Sequence, residues 1–491
     1  MECFTPSQRI IAALEIRRLF WSHRAMKAKR PLPFEADVLH QTSQQALPRR
    51  VFLRQSLTCA GGVVVCFPGV ASGLDQPRSR PLGVARGIHP GRVVWVYDPE
   101  VTHWKGPGDG HWWEANRVKQ ERVDAMMARA VCELAGEPTV AKAWSRLFRH
   151  LNRARGKGDA GYSTGERVAI KPNWVGMIFR EGHVNLDTYA FIRRQDYMNT
   201  APQMVFALIS QLVSAGVPAQ NITVCDTLAC LVHEYYDLLR GSFSTVRYED
   251  YAGKFERFKV KPSPQPLHWS SRLQGKAQDY LPACFAEAQY LVNFANLKAH
   301  SGGGVTLCAK NRFGSLIRWP VQEGYYDIHP NCFAKETGIY RPLVDLIGHP
   351  HLGGKTVLYL VDGLFSGVHP ADAVPQRLHS PPFDGQWSCS LLASQDPLAI
   401  DSVGYDFLAS EWPDIAGKVG VDDYLHEAAL AADPPSGTFY DPAHAAPVER
   451  LPSLGVHEHW NNARERKYSR NLGTGDGIEL VNVKLGFGSR K

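Results

Sequence analysis

The segment Tyr290–Phe313 constrains the fold of this chain more than any other part of its sequence. It opens with Tyr290–Phe294, which is apolar apart from one asparagine and predicts a strand buried on both faces of a sheet. Lys298, His300 and a run of three glycines follow directly. Open α/β sheets bind ligands beyond the carboxyl ends of their strands, and glycines let backbone N–H groups approach a ligand closely. The segment therefore favours a ligand site at the end of a buried strand over the alternative of a surface loop with ordinary lysines.

Two further predicted strands carry polar side chains at their carboxyl ends. The first covers residues 168–174 and precedes a helix at 200–214, with Thr200 as its N-cap and proline in its first turn. The next strand covers residues 221–227. A right-handed crossover makes these strands parallel, which places their ends on one rim of the sheet. The polar residues expected at this rim are Lys171, Asn173 and Asp226.

A second carboxylate at a strand end, Asp362, follows the apolar run Thr356–Val361 and precedes a glycine. This position suits a metal ligand or a base, and it is also ordinary turn chemistry. Asp396 and Pro397 then mark the start of a helix, because aspartate is a good N-cap and proline fits the first turn. Together these segments predict an α/β fold: a mostly parallel sheet flanked by helices, in two lobes with a cleft at the strand carboxyl ends.

The order of these segments resembles the bacterial and archaeal family called domain of unknown function 362, over roughly residues 165–411. The segments that carry the resemblance are Lys171–Asn173, Val224–Asp226, Val292–His300, Gly304–Gly314, Leu360–Gly363 and Ala393–Val403. One departure is Ala299, which stands where the family usually has threonine. The resemblance implies a fold and a site at the strand ends rather than a particular reaction.

The amino-terminal residues resemble a twin-arginine export signal. Arg49 and Arg50 are followed by a variable residue and then by Phe52 and Leu53, and the short apolar run Leu57–Ala71 ends in small residues. The alternative is a short buried strand after a basic loop. We predict a leader at 1–73, a linker at 74–90, and an α/β domain at 91–491 with a C-terminal extension at 412–491. The resemblance implies the twin-arginine translocase as an export partner and a periplasmic or secreted location.

Charge and hydropathy argue against two kinds of partner. Residues 1–74 hold ten Lys/Arg and four Asp/Glu, whereas the remainder holds 45 and 44, so the basic excess belongs to the leader. The body therefore gives no argument for nucleic acid. No apolar segment reaches the length of a membrane span, so we expect no stable span in the mature protein.

Cysteine and histidine spacing bears on cofactors. The sequence contains no Cys-x-x-Cys pair, so it lacks the cysteine spacing that is typical of iron–sulfur cluster ligands. Cys225 and Cys230 are either a disulfide or, more ordinarily, small buried residues. His457 and His459 alternate along the chain and, with His300, are candidate ligands of a divalent metal; the alternative is a set of surface histidines.

The functional prediction is an enzyme with a metal or redox cofactor that acts on a small anionic or carbonyl-bearing metabolite. The candidate catalytic residues are His300, Lys310, Asp362 and Lys171. The candidate ligand-binding residues are Asn173, Asp226, Lys298, Gly302, Gly303, Gly304, Asn311 and Asp396. The alternative is a non-catalytic periplasmic protein that binds a ligand or assists cofactor assembly, with the same pocket and no turnover.

Overall fold

The computed structural model of the protein describes residues 80–178, 182–271, 278–317, 331–332, 334–368, 374–444 and 447–486. All of these belong to one structural unit, Asp75–Lys491. The expected leader at 1–73, with its arginine pair and small-residue site, lies outside the described residues, as does the first part of the expected linker. The export signal therefore stays a prediction.

The strands alternate with helices along much of the chain. In chain order the strands are β1 (Leu82–Gly83), β2 (Arg92–Tyr97), β3 (Val168–Pro172), β4 (Val184–Asn185), β5 (Ala190–Phe191), β6 (Ile222–Cys225), β7 (Arg247–Asp250), β8 (Phe258–Lys259), β9 (Pro262–His268), β10 (Gln278–Pro282), β11 (Tyr290–Asn296), β12 (Lys298–His300), β13 (Gly304–Thr306), β14 (Thr356–Gly363), β15 (Ser390–Ser394), β16 (Val456–His457) and β17 (Glu479–Lys484). The helices are α1 (Gln120–Ala135), α2 (Val140–Ala154), α3 (Pro202–Ser214), α4 (His233–Ser242), α5 (Ala283–Glu287), α6 (Cys308–Asn311), α7 (Pro342–Gly348), α8 (Pro397–Glu411), α9 (Pro413–Ala416), α10 (Val419–Ala429) and α11 (Ser469–Leu472).

Nine of these strands form one mixed sheet in the order β17–β2–β15–β14–β11–β3–β6–β7–β8. Neighbouring strands from β14 to β8 run parallel, β17 runs parallel to β2, and β15 runs antiparallel to both of its neighbours. The expected α/β class is confirmed as a large mixed sheet with helices packed on it.

Burial on both faces explains why the central strands are so apolar. Every residue of β11 and of β14 is buried, because helices such as α6 and α8 cover the sheet. At the β2 end, the Trp95 ring lies 4.7 Å from Phe407 of α8. The polar side chains of these strands must therefore form their hydrogen bonds with other groups inside the protein.

The local predictions hold best where short-range signals are strong. The parallel pairing of β3 with β6 is confirmed. Asp396 is confirmed as the N-cap of α8, since its carboxylate accepts from the backbone N–H groups of Leu398 and Ala399, both at 3.0 Å. Thr200 is not the N-cap of α3: that residue is Ala201, and the Thr200 hydroxyl instead accepts from the Asn173 backbone N–H at 2.8 Å.

Residues beyond 411, expected as an extension, take part in the main sheet and its surroundings. β17 lies at the edge of the sheet beside β2, and β16 pairs with β1, which falls within the expected linker. None of the helices in the described ranges has both the length and the apolarity that crossing a bilayer requires.

Candidate functional site

The carboxyl ends of β3, β11 and β14 bring polar residues side by side. In the sheet register Lys171 lies opposite Asn293, and Asn296 lies opposite Asp362. All four side chains are buried, with 1% or less of each residue exposed. The parallel register thus gathers at one edge of the sheet residues that are far apart in the chain.

Lys171 is the centre of one half of this network. Its Nζ donates to the Pro172 carbonyl at 2.6 Å, to Asp226 Oδ2 at 3.0 Å and to Asn311 Oδ1 at 3.1 Å. Burial lowers the pKa of the Lys171 ammonium, and the charge of Asp226 opposes that effect. Three acceptors satisfy the three protons of an ammonium, so this lysine is built into the protein as a cation paired with Asp226.

Gly314 closes this pair on one side. A Cβ atom at residue 314 would lie 2.7 Å from Asp226 Oδ1 and 2.8 Å from Lys171 Nζ, which is closer than such atoms approach. Residue 314 must therefore be glycine, because the Lys171–Asp226 ion pair packs directly against its backbone and leaves no space for a side chain.

Lys298 forms the second half of the network in a different environment. Its Nζ donates to Asn173 Oδ1 at 2.7 Å and to the Met198 carbonyl, and no carboxylate of the described residues lies within 4.0 Å of it. Asn173 Nδ2 donates in turn to Asn311 Oδ1 at 3.0 Å, which joins the two halves. Burial lowers the pKa of Lys298 well below its usual value. The charges of Asp362 and Asp226 oppose this shift, and the ammoniums of Lys171 and Lys310 add to it.

Asp362 ends β14 beside this lysine. Its carboxylate accepts from the backbone N–H of Ala201 at 2.7 Å and of Leu364 at 2.9 Å. Burial raises the pKa of Asp362 to about 6, although the two N–H donors and Lys298 oppose the shift. The pKa values of Asp362 and Lys298 are therefore both shifted toward neutrality by burial.

Three buried polar atoms close to these residues have no hydrogen-bond partner in the described part of the chain. They are Asn199 Nδ2, Tyr235 OH and Asn296 Oδ1. Asn296 Nδ2 donates to the backbone carbonyl of Asn199 at 3.2 Å. The Asn199 side chain and the charge of Asp362 have opposite effects on the pKa of Tyr235, which burial raises well above its usual value. Buried groups of this kind normally bind ordered water or a ligand. Sequence reasoning missed Asn199 and Tyr235, because neither belongs to a segment with strand-end polar residues.

The glycine run forms the tip of a hairpin between β12 and β13. His300 Nδ1 accepts from the backbone N–H groups of Gly302 at 3.1 Å and Gly303 at 3.0 Å, so the glycine amides bind the imidazole. Gly304 has a φ of 79°, and a Cβ there would lie 2.3 Å from Val421. His300 is half-buried and Gly302 is exposed, so this hairpin connects the buried lysines to the surface.

Lys310 is half-buried on α6, next to Asn311 of the network. Its Nζ lies 4.2 Å from the centre of the Phe313 ring, a cation–π geometry. Its charge contributes to the lowered pKa of Lys298. The structure thus brings together the predicted residues Lys171, Asn173, Asp226, Lys298 and Asn311, with Lys310 and Asp362 beside them.

Asp396 belongs to a different hydrogen-bonded group. Besides capping α8, its carboxylate accepts from the backbone N–H of Arg86 at 2.8 Å and of Val456 at 3.1 Å. Its four backbone donors come from three separate segments, and none of its hydrogen bonds reaches the lysine network. Asp396 therefore links these three segments through hydrogen bonds to their backbones.

Of the three predicted metal ligands, His457 and His459 lie together and His300 does not lie with them. Two groups of metal-binding side chains with ligand atoms within 4.8 Å of one another occur among the described residues, and His300 belongs to neither. His457 and His459 do form a group, with Asp422 as its third member. The second group is Cys225, Glu249 and Cys284, and Cys225 and Cys230 are both free thiols.

Comparison with known proteins gives a family for part of the chain. Residues 168–406 match the model of a family described as Domain of unknown function (DUF362). No curated protein matches the chain. Every residue of the lysine network falls within the matched range, whereas the Asp422–His457–His459 group falls outside it.

Proposed function

Because residues 168–406 match the model of the DUF362 family, we propose a function for the site that these residues form. The protein is an enzyme that binds a small anionic or carbonyl-bearing metabolite at the carboxyl ends of β3, β11 and β14. Lys298 is the reacting amine, Asp362 donates a proton to the bound metabolite, and Lys171 and Lys310 supply positive charge. His300 acts as acid or base on the solvent side.

The observation that carries this proposal is the environment of Lys298. The ammonium of a buried lysine normally pairs with a carboxylate, as Lys171 does with Asp226. Lys298 has only an amide oxygen and a backbone carbonyl as acceptors, so burial favours its neutral amine. A neutral amine in a desolvated site is a nucleophile or a base at neutral pH. The buried Asn296 Oδ1, which has no hydrogen-bond partner in the described part of the chain, supplies a polar contact for a ligand in the same region.

The chemistry follows from these groups. The amine nitrogen of Lys298 adds to the carbonyl carbon of the metabolite, and a proton passes from that nitrogen to the carbonyl oxygen to give a carbinolamine. Protonated Asp362 then donates a proton to the hydroxyl, which leaves as water while the nitrogen lone pair forms the C=N bond of a protonated Schiff base, with Asp362 left as the carboxylate. An anionic group on the same metabolite is attracted to the Lys171 and Lys310 side chains.

Borohydride trapping tests the proposal directly. The full-length protein is incubated with glyoxylate or pyruvate, reduced with sodium borohydride, digested and mapped by mass spectrometry. We expect the reduced adduct on Lys298, and we expect K298R to lose it, because a guanidinium forms no such adduct.

Lys355 provides a demanding control. Burial lowers the pKa of Lys355 to about 8, so it is also a reactive amine, but it lies outside the network and donates to the Ala286 carbonyl at 2.5 Å. K355R should leave the adduct at Lys298 unchanged. An adduct found on Lys355 and not on Lys298 would contradict the proposal.

A second candidate function is the non-catalytic binding or assembly protein. The observation in its favour is the complete burial of Lys171 and Lys298, which is also what a structural polar network shows. This candidate predicts ligand binding with no covalent adduct, and binding that survives K298R.

We also propose that the protein is exported through the twin-arginine route and works in the periplasm or outside the cell. The support is the segment Arg49–Leu53 and the apolar run behind it. A fusion of residues 1–90 to a reporter protein should be exported. Replacement of both Arg49 and Arg50 by lysine should abolish that export, whereas R54K should not. Export that persists in the double variant would rule out this route.

A further inference from the structure

A second polar cluster lies outside the DUF362 domain, where α10 faces β16. Asp422 of α10, His457 of β16 and His459 each offer a ligand atom, and these atoms lie within 4.8 Å of one another. His457 and His459 are two residues apart, as the alternation of an extended segment requires for side chains on one face. The ring of His426, one helical turn after Asp422, also lies 5.0 Å from the His457 ring.

The hydrogen bonds of His457 leave one ring nitrogen available. The Ser402 hydroxyl donates to the Leu398 carbonyl at 2.7 Å, so its oxygen accepts the proton of His457 Nδ1 at 2.9 Å. This assigns the proton to Nδ1 and leaves a lone pair on Nε2. His457 is 1% exposed, and within the described part of the chain its Nε2 makes no hydrogen bond. A buried imidazole held in this way is arranged as histidine ligands of metals are.

The carboxylate of Asp406 orients the imidazole ring of His459. Its Nδ1 lies 2.7 Å from Asp406 Oδ1, and its Nε2 lies 3.0 Å from Asp422 Oδ1. Asp406 is fixed in turn by the Trp460 N–H at 3.0 Å and the Tyr468 hydroxyl at 2.9 Å. A carboxylate that holds one imidazole nitrogen while the other faces a ligand position is the common supporting arrangement around zinc.

The charges of the cluster favour a cation. Within the described ranges, neither Asp406 nor Asp422 pairs with a lysine or an arginine, and His459 is the ion-pair partner of both. Two carboxylates therefore face two imidazoles, and no lysine or arginine of the described ranges neutralises either carboxylate. A divalent ion would balance the two carboxylates, taking the place of a proton between His459 Nε2 and Asp422.

We propose that Asp422, His457 and His459 bind one divalent transition-metal ion, with Asp406 as the residue that positions His459. Two imidazole nitrogens and one carboxylate oxygen are a donor set for zinc, cobalt or nickel. Metal–ligand bonds of about 2.1 Å separate neighbouring ligand atoms by about 3.4 Å, so side-chain rotation closes the present spacing. This site is independent of the proposed function, because none of its three ligands lies in the matched domain.

Cobalt(II) is the probe for the test. The full-length protein, stripped of metal with a chelator and dialysed, is titrated with Co²⁺ while its visible absorption is followed. We expect binding of one ion per chain. D422N and H459N each remove a ligand and should weaken Co²⁺ binding at least tenfold. D406N removes the residue that positions His459 and should weaken Co²⁺ binding by about 10- to 100-fold. The control is H103N, which removes an exposed histidine outside the cluster and should leave the affinity unchanged.

The competing explanation is a structural cluster in which His459 is a protonated link between two aspartates. It predicts no saturable Co²⁺ absorption in the unmodified protein, and that result would overturn the proposal whatever the variants do. Equal affinity in D422N, H459N and the unmodified protein would overturn it as well. Circular dichroism checks that each variant is folded, and a Co²⁺-dependent rise of the unfolding temperature that requires Asp422 provides a second readout.

Discussion

At the scale of single residues, Gly314 shows how tightly the Lys171–Asp226 pair is enclosed. A methyl group there would lie within 2.9 Å of Asp226 Oδ1 and of Lys171 Nζ and Cε. The ion pair is buried, so it has no room to move aside without losing a hydrogen bond.

We therefore expect G314A to lower the free energy of unfolding by about 2 kcal/mol or more, measured by urea denaturation. The matched control is G241A, near the end of α4, where a Cβ meets nothing within 4 Å. That change should leave stability equal or raise it by up to about 1 kcal/mol, since alanine favours helix. A G314A protein as stable as the unmodified one would mean that the pair is not packed as described.

Asp345 is a second residue whose surroundings have a measurable effect. Its carboxylate accepts from the Ser270 N–H at 2.9 Å and from the Tyr340 hydroxyl at 2.6 Å, and no basic side chain in the described ranges pairs with it. Burial raises the pKa of Asp345 to about 7, against the pull of these donors. The folded state therefore holds the proton to a higher pH than the unfolded state does.

The sign of the pH dependence follows from that raised pKa. The contribution of Asp345 to stability is fully present below its ordinary pKa of 3.8 and is lost as pH rises through about 7, on the order of 4 kcal/mol. In D345N this loss should disappear. Urea unfolding of both proteins between pH 4 and pH 8 measures this effect. The difference between the two free energies of unfolding removes the contribution of other titrating groups, which both proteins share. Parallel pH profiles for the two proteins would show that Asp345 keeps an ordinary pKa.

At the scale of elements, Asp401 joins three helices. It lies in α8, but its carboxylate accepts from the backbone N–H of Cys308 at 2.7 Å and of Ala309 at 2.8 Å, which open α6. The Tyr424 hydroxyl of α10 donates to the same carboxylate at 3.0 Å. Asp401 thus caps a helix far away in the chain and holds α6, with Lys310 and Asn311, against α8.

A double-mutant cycle measures this junction. We expect D401N to lower the free energy of unfolding by about 2 kcal/mol, since it replaces an acceptor of buried N–H groups, and Y424F by about 1 kcal/mol. Because the two side chains share a hydrogen bond, the double variant should lose less than the sum, with a coupling of at least about 0.5 kcal/mol. Strict additivity would show that the two side chains act separately.

At the scale of the whole molecule, residues 412–491 complete the domain. β17 supplies an edge strand of the main sheet. Asp423 of α10 pairs with the buried Arg341, at 2.7 Å between Oδ2 and Nε. A buried arginine that loses its carboxylate costs about 3–5 kcal/mol, a large part of the stability of an ordinary domain.

A chain that ends at Glu411 should therefore fail to fold cooperatively. Thermal unfolding followed by circular dichroism should show no sigmoidal transition for it, whereas the full-length chain with the same tag should show one. A transition at the full-length midpoint would mean that the family-like segment, 165–411, is a domain by itself.

The sequence by itself determined the α/β class, the central strands, the cap of α8, and which polar residues end the strands at the candidate site. These features depend on apolar runs, prolines, glycines and acidic residues within a few positions of one another, so near neighbours decide them.

Only the tertiary structure decided the partners. Lys171 and Asn311 are 140 residues apart, Asp401 caps a helix more than 90 residues away, and His459 meets Asp422 from 37 residues away. Tertiary contacts also place Asp396 in a hydrogen-bonded group apart from the lysine network, and they place Asp422 beside His457 and His459. Which side chains share a buried space depends on strand order and helix docking, and those depend on burial of the whole chain at once.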